Sequence, residues 1–251
     1  MFRLIISFLT LITVLSCNKF DKVMIIGHRG AMGHIAENTI PSINKAMELG
    51  VDGIEIDVFK CKSGELVVFH DERLERLTNS SGFIESLELD SIKNIIVLDK
   101  YRIPTLEEVL QLIDGQVKLN IELKGYGTAS PTNHLINQYT NKGGWKEDKF
   151  IISSFKWDEL EKIRELNMTI PIAVLVNSNV NPIDALPFAK KIKAIAINPY
   201  FKDLNQKNIE KIQSNGLKVF PYTINELDDI ERMIKLGVDA IITDYPERIN
   251  K

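Results

Sequence analysis

The chain has 251 residues, of which 44% are hydrophobic and 26% are charged, and its formal net charge at neutral pH is −3. This is the composition of a globular protein with a substantial core, and it excludes a disordered chain. Acidic and basic residues are mixed along the chain, which argues against a nucleic-acid-binding protein, and no feature implies a protein partner.

The N-terminus is predicted to be an export signal rather than part of the fold. Arg3 precedes a largely apolar stretch over residues 4–15, which is shorter than the about 20 residues that a membrane-spanning helix needs. The stretch ends in Val-Leu-Ser-Cys, which resembles a bacterial lipobox. We therefore expect a signal peptide over residues 1–16, a lipid on Cys17, and an exported lipoprotein held at a membrane and facing the periplasm or the cell surface. A plain signal peptide and an N-terminal anchor are the alternatives.

Cysteine is scarce in this chain. With Cys17 assigned to lipidation, Cys61 is the one cysteine left, which excludes a disulfide framework. Cys61 follows a predicted strand and precedes a turn, and we expect it to serve packing.

Short apolar runs alternate with amphipathic stretches over residues 22–249, which we predict to be one domain. The predicted strands are residues 23–27, 53–59, 66–70, 119–123, 150–154, 172–176, 194–197, 218–223 and 240–243. The predicted helices are residues 41–49, 105–113, 131–140, 157–166, 183–191, 205–214 and 226–236. Such alternation indicates parallel βα units in an α/β protein.

Nine predicted strands are one more than an eightfold barrel uses. The connection from residue 59 to residue 66 is too short for a parallel crossover, which needs about a dozen residues, so the strand at 66–70 is predicted to pair antiparallel with the strand before it. The other eight predict a (β/α)8 TIM barrel. A doubly wound open sheet is the alternative, and the first strand lacks the Gly-x-Gly-x-x-Gly that would support it. Residues 72–103 are expected to form an insertion over the barrel mouth.

Side chains that can carry chemistry lie at or just after the ends of the predicted strands, where TIM-barrel active sites are built. They are His28, Arg29, Glu55, Asp57, His70, Glu122, Lys124 and Asp244. Because alternate side chains of a strand share a face, Glu55 and Asp57 point the same way, as do Glu122 and Lys124. These groups can therefore converge at one mouth of the barrel.

The order and spacing of these motifs resemble the glycerophosphodiester phosphodiesterase family in its bacterial, lipoprotein-type form. The matching motifs are His28-Arg29-Gly30, Glu37-Asn38-Thr39, Glu55-x-Asp57-Val58, Val67-Val68-x-His70-Asp71, Ile103-Pro104-Thr105-Leu106, Ile121-Glu122-Leu123-Lys124, Ser153-Ser154-Phe155, Thr223-Ile224-Asn225 and Thr243-Asp244-Tyr245-Pro246. The resemblance covers nearly all of the chain after the export signal. It implies a TIM barrel with a small insertion after the His-Asp motif.

The resemblance implies a site for one divalent metal ion, Ca²⁺ or Mg²⁺, held by Glu55, Asp57 and Glu122. The chemistry agrees, because crowded carboxylates raise one another's pKa and a hard cation with oxygen ligands removes that repulsion. A solvated acidic rim paired with Lys124 is the alternative.

The resemblance also implies that His28 and His70 are the general acid and base of a phosphodiester cleavage, a task that imidazole suits at neutral pH. Which histidine starts as the base stays open, as does the nucleophile, which is water or the glycerol hydroxyl of the substrate. Arg29 and Lys124 are expected to hold the phosphate. Four residues are expected to brace the His28 loop or line the pocket: Glu37, Asn38, Phe155 and Tyr222.

The expected function is metal-dependent hydrolysis of a small-molecule glycerophosphodiester to sn-glycerol 3-phosphate and an alcohol such as choline or ethanolamine. Ala36 and Tyr222 stand where the family usually has proline and tryptophan, which leaves the substrate open. Lysophospholipids and glycerophosphoryl polymers are alternative substrates of the same chemistry. A surface lipoprotein that binds phosphodiesters without turnover is the alternative of a different class. A serine hydrolase is rejected, because the Ser153-Ser154 pair lacks a Gly-x-Ser-x-Gly motif. His34 and His134 are expected to be surface residues.

Overall fold

The computed structural model describes residues 23–249. The predicted signal peptide and Cys17 lie outside the described residues. The strands are β1 (Met24–Gly27), β2 (Gly53–Lys60), β3 (Leu66–Val68), β4 (Ile96–Val97), β5 (Tyr101–Arg102), β6 (Lys118–Leu123), β7 (Phe150–Ser154), β8 (Ile172–Val176), β9 (Ala196–Pro199), β10 (Lys218–Val219) and β11 (Ala240–Thr243).

The α-helices lie mainly between the barrel strands. They are α1 (Ile40–Glu48), α2 (Leu89–Ile92), α3 (Leu106–Ile113), α4 (Ala129–Lys142), α5 (Trp157–Leu166), α6 (Leu186–Lys191), α7 (Gln206–Gln213) and α8 (Leu227–Leu236). Thr105 begins α3 in a capping box with Glu108, as its sequence predicts. Within residues 23–249, no helix combines the length and the apolarity that crossing a bilayer requires.

Eight parallel strands form a nearly closed barrel, which confirms the predicted (β/α)8 architecture. Their order around the axis is β10, β9, β8, β7, β6, β2, β1 and β11. Between β10 and β11 the backbone N–H of Asp239 donates to Val219 O at 3.1 Å, and that of Ile242 donates to Pro221 O at 3.1 Å. The strand predicted over 218–223 forms a regular ladder only at Lys218–Val219. The Phe220 N–H donates to Ile197 O, but Pro199 on β9 has no N–H to donate back to Phe220 O.

The strand at Leu66–Val68 pairs antiparallel with β2, with Val58 opposite Val68, as the short connection predicts. The segment after it contains the β4–β5 hairpin and the short helix α2, neither of which the sequence predicted. This insertion has its own apolar core, in which Phe59, Phe69 and Ile92 are buried. Cys61 is buried in the same core.

Alternation along the barrel strands separates two apolar layers. Outward residues such as Ile54 and Ile56 pack beneath the helices, while inward residues such as Ile26, Ile151 and Ile242 fill the barrel interior. Each fully buried side chain of this size contributes about 1.5–3 kcal/mol to folding. The apolar interior gives way to polar residues toward the carboxyl ends of the strands, which is where the candidate site lies.

Candidate active site

Three carboxylates meet at the carboxyl end of the barrel. Asp57 on β2 lies directly opposite Glu122 on β6, and Glu55 lies one inward position below Asp57 on the same strand. Ligand oxygens of Glu55, Asp57 and Glu122 all lie within 4.8 Å of one another, and all three residues are buried. The structure thus brings together the three residues that the sequence predicts as metal ligands.

Two cations lie against this cluster. Arg29 Nε is 3.4 Å from Asp57 Oδ2, and Lys124 Nζ is 2.9 Å from Glu122 Oε1 and 3.7 Å from Asp57 Oδ1. Burial alone lowers the pKa of Lys124, but the charges of Glu122 and Asp57 outweigh it and raise that pKa. The ammonium group therefore stays charged.

The cations do not neutralise the cluster. Burial, followed by the charges of Asp57 and Glu122, raises the pKa of Glu55 well above its usual value. Burial and the charge of Asp57 likewise raise the pKa of Glu122 to about 7, although Lys124 opposes the shift. In the ionised form that binds a metal ion, three buried carboxylates beside two cations leave one uncompensated negative charge.

A divalent cation fits this arrangement. Glu55 Oε1 is buried and accepts no hydrogen bond from any described residue, so a lone pair is left for a ligand. The ligand set consists of carboxylate oxygens, which suit Ca²⁺ or Mg²⁺. A bound ion would also turn the net charge of the cluster positive, which suits an anionic phosphodiester.

The loop after β1 adopts an unusual backbone to reach the carboxylates. Arg29 and Asn38 both have positive φ, 49° and 57°, a region that costs a non-glycine residue about 1–3 kcal/mol. In this conformation the Arg29 N–H donates to Glu55 Oε2 at 2.9 Å. The Asn38 side chain donates to Asp57 Oδ2 at 2.8 Å and accepts from the Asp57 N–H at 3.2 Å. The strained backbone thus positions Glu55 and Asp57, two of the three carboxylates.

Gly30 is required for close packing of the same loop. Its φ is +86°, and a Cβ atom there would lie 2.5 Å from Ser42 Oγ. Any larger residue would push the Arg29 loop away from α1.

Each predicted catalytic histidine is held by an aspartate. His28 Nδ1 donates to Asp244 Oδ1 at 2.7 Å, and His70 Nδ1 donates to Asp71 Oδ1 at 2.6 Å. With the proton held on Nδ1, the Nε2 atom of each ring is free to accept or donate a proton at a substrate. Burial lowers the pKa of His70, which favours its neutral form at pH 7.

The two aspartates are themselves held in place. Asn225 Nδ2 donates to Asp244 Oδ2 at 2.6 Å. Burial alone raises the pKa of Asp244, but hydrogen bonds from His28 and Asn225 outweigh it and lower that pKa. Asp244 therefore remains a carboxylate that keeps the His28 ring oriented.

Arg76, in the insertion, links the Arg29 loop to His70 by hydrogen bonds to Glu37 and Asp71. Its Nε donates to Asp71 Oδ2, and its two terminal nitrogens donate to the Glu37 carboxylate at 2.9 and 2.8 Å. Glu37 Oε1 also accepts from Arg29 at 2.7 Å. Glu37 thus contacts the Arg29 loop, and Arg76 connects that loop to His70 through Asp71.

Sequence reasoning did not identify Arg76 or Asn225 as site residues. Arg76 lies five residues after Asp71 in the segment interpreted as an insertion, and Asn225 ends the Thr223-Ile224-Asn225 motif, where no role was assigned to it. No motif contains Arg76, and only the folded chain places the two side chains on Asp71 and Asp244.

A cavity of about 180 Å³ brings most of the predicted site together. The predicted residues that line it are His28, Arg29, Glu55, His70, Glu122, Lys124, Phe155 and Tyr222. Asn120 and Ser153 also line it. An adjoining open groove of about 680 Å³ shares His70, Glu122, Lys124 and Phe155 with the cavity.

Aromatic rings form one wall of this cavity. Phe155 and Tyr222 meet edge to face with ring centroids 5.7 Å apart. The Tyr222 hydroxyl donates to Val176 O at 2.7 Å, which fixes the ring. His34 pairs with Glu247, and His34 and His134 are both exposed, as expected.

Known proteins of one family are similar to this chain over nearly all of its described length. The model of the "Glycerophosphoryl diester phosphodiesterase family" matches residues 28–248. The chain belongs to this family. The predicted family and the predicted phosphodiesterase class are therefore confirmed, while the lipoprotein type stays a prediction.

Relatives in this family match the chain over most of its length. A glycerophosphodiester phosphodiesterase of Caldanaerobacter subterraneus subsp. tengcongensis is 36% identical, covering 91% of this chain and 96% of the relative. One of Bacillus subtilis (strain 168) is 31% identical, covering 92% and 86%. An Oleispira antarctica phosphodiesterase, solved in complex with the product sn-glycerol-3-phosphate, has a TM-score of 0.82 and 27% identity, covering 90% of this chain and 95% of that one.

Proposed function

We propose that this phosphodiesterase hydrolyses glycerophosphodiesters to sn-glycerol 3-phosphate and an alcohol, with one divalent metal ion and two histidines as acid and base. The observation that carries the proposal is the convergence of His28, His70, Arg29, Lys124 and two of the carboxylates on a single 180 Å³ cavity. The relatives' names and the product in the Oleispira antarctica structure support the substrate class.

Arg29 and Lys124 hold the phosphodiester. Both remain charged, because neighbouring carboxylates outweigh burial and raise the pKa of each. Their positive charge offsets the negative charge that builds up on the phosphate oxygens in the transition state.

His28 and His70 move the protons. One Nε2 takes the proton of the attacking oxygen, which belongs to water or to the glycerol hydroxyl and forms a new P–O bond. The other Nε2 gives a proton to the departing alkoxide as the P–O bond to the alcohol breaks. Asp244 and Asp71 keep each Nδ1 proton in place, so that Nε2 is the atom presented to the substrate. Positioned proton transfer of this kind contributes about 10²–10⁴-fold to the rate.

Glu55, Asp57 and Glu122 hold the metal ion. A bound divalent ion supplies Lewis-acid stabilisation of the phosphoryl oxygens and balances the buried carboxylates. Asn38 and the Arg29 backbone fix Asp57 and Glu55 in the orientation that this binding needs.

Turnover of glycerophosphocholine tests this function. We expect release of sn-glycerol 3-phosphate and choline, loss of activity in EDTA, and recovery with Ca²⁺ or Mg²⁺. Full activity after complete metal removal would contradict the metal role. ³¹P NMR of the early products separates the two nucleophiles, because attack by the glycerol hydroxyl forms a cyclic phosphate first and attack by water does not.

The substrate panel also includes a lysophospholipid and a glycerophosphoryl polymer, the alternatives left by Ala36 and Tyr222. A preference for either one over glycerophosphocholine would change the substrate but not the chemistry. Tight binding without turnover in the presence of metal would favour the phosphodiester-binding lipoprotein.

We also propose that the chain is exported and anchored by a lipid on Cys17, on the support of its apolar N-terminal stretch and lipobox-like end. Metabolic labelling with a radioactive fatty acid tests this. We expect label and membrane association in the native chain, and neither in Cys17→Ala. A soluble, unlabelled native protein would contradict the anchor.

A further inference from the structure

Two polar side chains on the cavity floor have no hydrogen-bond partner within residues 23–249. Asn120 on β6 and Ser153 on β7 point into the barrel and line the 180 Å³ cavity. They are 3% and 0% exposed, and neither Asn120 Oδ1 nor Ser153 Oγ makes a hydrogen bond with any described residue. Burying a polar group without a partner costs about 1–3 kcal/mol, so a native site with two such groups calls for an explanation.

The strand register sets these two groups beside the carboxylates. Asn120 lies opposite Glu55 across the β2–β6 ladder, and Ser153 lies opposite Glu122 across the β6–β7 ladder. Beyond them the barrel interior is filled by apolar residues such as Ile26 and Ile151, which offer no hydrogen bonds. Their partner must therefore come from the cavity.

The unpaired amide oxygen of Asn120 restricts the chemistry of that partner. Asn120 Oδ1 needs a hydrogen-bond donor, whereas the oxygens of an ionised phosphodiester only accept hydrogen bonds. A hydroxyl both donates and accepts, so it satisfies the Ser153 hydroxyl and either end of the Asn120 amide. The cations Arg29 and Lys124 remain for the phosphate.

We propose that Asn120 and Ser153 bind the hydroxyl groups of the glycerol part of the substrate and so determine its recognition. The inference rests on the proposed function, because it names the residues that recognise the glycerol part of the glycerophosphodiester. A site built to hydrogen-bond a hydroxyl rejects an analogue that lacks it, because its buried polar groups are then left unpaired.

Calorimetry with two phosphate monoesters tests this binding without turnover. sn-Glycerol 3-phosphate and n-propyl phosphate share the phosphate and the three-carbon chain, but the second has no hydroxyl. At one fixed Mg²⁺ concentration we expect Ser153→Ala and Asn120→Leu each to weaken binding of glycerol phosphate by about 3- to 10-fold. Binding of propyl phosphate should be unchanged in both variants.

Thermal unfolding of the ligand-free variants distinguishes a binding role from a structural one. Removing an unpaired buried polar atom does not cost a hydrogen bond, so Ser153→Ala and Asn120→Leu should leave the Tm unchanged or raise it. Asn198→Ala is the matched control, since the buried Asn198 amide also lacks a hydrogen-bond partner in the described part of the chain but does not line the cavity. In Asn198→Ala the ratio of the affinities for sn-glycerol 3-phosphate and n-propyl phosphate should be the same as in the wild type.

The outcomes separate the inference from the proposed function. Equal losses of affinity for both ligands in Ser153→Ala and Asn120→Leu, or no loss for either, would overturn the hydroxyl site. Turnover of glycerophosphocholine by the wild type is measured alongside. Absent turnover of glycerophosphocholine and of the other substrates in the panel overturns the proposed function whatever the calorimetry gives, whereas turnover without discrimination between the two monoesters overturns the hydroxyl site alone.

Discussion

His28 Nδ1 lies 2.7 Å from Asp244 Oδ1, although 216 residues separate the two in the chain. Parallel pairing of β1 with β11 brings them together, because both residues follow directly on these adjacent strands. We predict that Asp244→Asn lowers kcat by about 10²-fold or more, because an amide can donate to Nδ1 and leave the proton on the wrong ring nitrogen. Steady-state kinetics on glycerophosphocholine measure the loss.

Asn225→Ala controls for the hydrogen bond that Asp244 also accepts from Asn225. It keeps the carboxylate on His28 and should lower kcat far less than Asp244→Asn. Similar losses in the two variants, or a normal kcat in Asp244→Asn, would contradict a role for Asp244 in fixing the His28 proton.

Arg76 is predicted to be a positioning residue for both halves of the site. In Arg76→Gln, Glu37 and Asp71 lose charged hydrogen bonds, so the Arg29 loop and the His70 ring are no longer tied together. We expect kcat to fall about tenfold, the equivalent of about 1.4 kcal/mol in activation free energy. Arg76→Lys should restore part of the activity only, because an ammonium cannot make the two-pronged contact to Glu37.

Arg73→Gln is the matched control for Arg76. Arg73 belongs to the same insertion, but it pairs with the exposed Glu75 and stacks on Phe83. We expect its kcat and KM to stay near those of the wild type. Equal losses of kcat in Arg73→Gln and Arg76→Gln would mean that a less stable insertion causes the loss. They would contradict a role for the link between Glu37 and Asp71.

Glu37 is predicted to make stability fall in acid. Burial alone raises its pKa, but hydrogen bonds and charge from Arg76 and Arg29 outweigh burial and lower the pKa from 4.5 to about 2. A lowered native pKa stabilises the fold above the unfolded-state value of about 4.3, and this contribution is lost as pH falls toward about 2. Its size is about 1.5–3 kcal/mol, the lower figure allowing for solvent screening at the half-exposed Arg76.

Urea unfolding of the wild type and of Glu37→Gln at several pH values measures this contribution. The wild type should be the more stable protein at pH 6, and the difference in unfolding free energy should shrink steadily below pH 4.5. A difference that stays constant down to pH 3 would show that ionisation of Glu37 contributes nothing.

Local patterns were enough to predict the barrel. Strands and helices alternate with clear end residues, and the short connection before β3 identifies the one antiparallel strand among them. The β4–β5 hairpin could not be predicted, because its turn uses Leu98 and Asp99 at φ 46° and 55°. Such turns usually carry glycine or asparagine, and neither residue marks this one.

The site was predicted from the order of its motifs, but the supports of its residues were not. The alternation of side chains on β2 and β6 is enough to place Glu55, Asp57 and Glu122 at one mouth. The pairing of Arg76 with Glu37, by contrast, depends on how the insertion packs, and no local pattern encodes it. The roles of the histidines and carboxylates remain predictions for the experiments above.

The carboxylate cluster is predicted to lower the stability of the metal-free protein and to bind a metal ion. Glu55, Asp57 and Glu122 are buried together, and their mutual repulsion is what raises the pKa of Glu55 after burial itself. Glu55→Gln removes one of these charges, so the metal-free protein should become more stable, with a Tm higher by a few degrees, about 1 kcal/mol for a chain of this size. The same variant should lose the rise in Tm that Mg²⁺ or Ca²⁺ gives the wild type, because a ligand that binds only the native state stabilises it.

Thermal unfolding in EDTA and in a metal series measures both effects in one experiment. Glu159→Gln is the matched control: Glu159 is also buried, but its carboxylate accepts hydrogen bonds from the Gly127 and Ala129 N–H groups. That variant should lose stability in EDTA and keep the metal-dependent rise. Since the two buried glutamates differ in whether the fold or a ligand satisfies them, their replacements must shift the metal-free Tm in opposite directions. A lower Tm for Glu55→Gln in EDTA would mean that Glu55 stabilises the metal-free fold, and it would contradict a cation-binding role of the cluster.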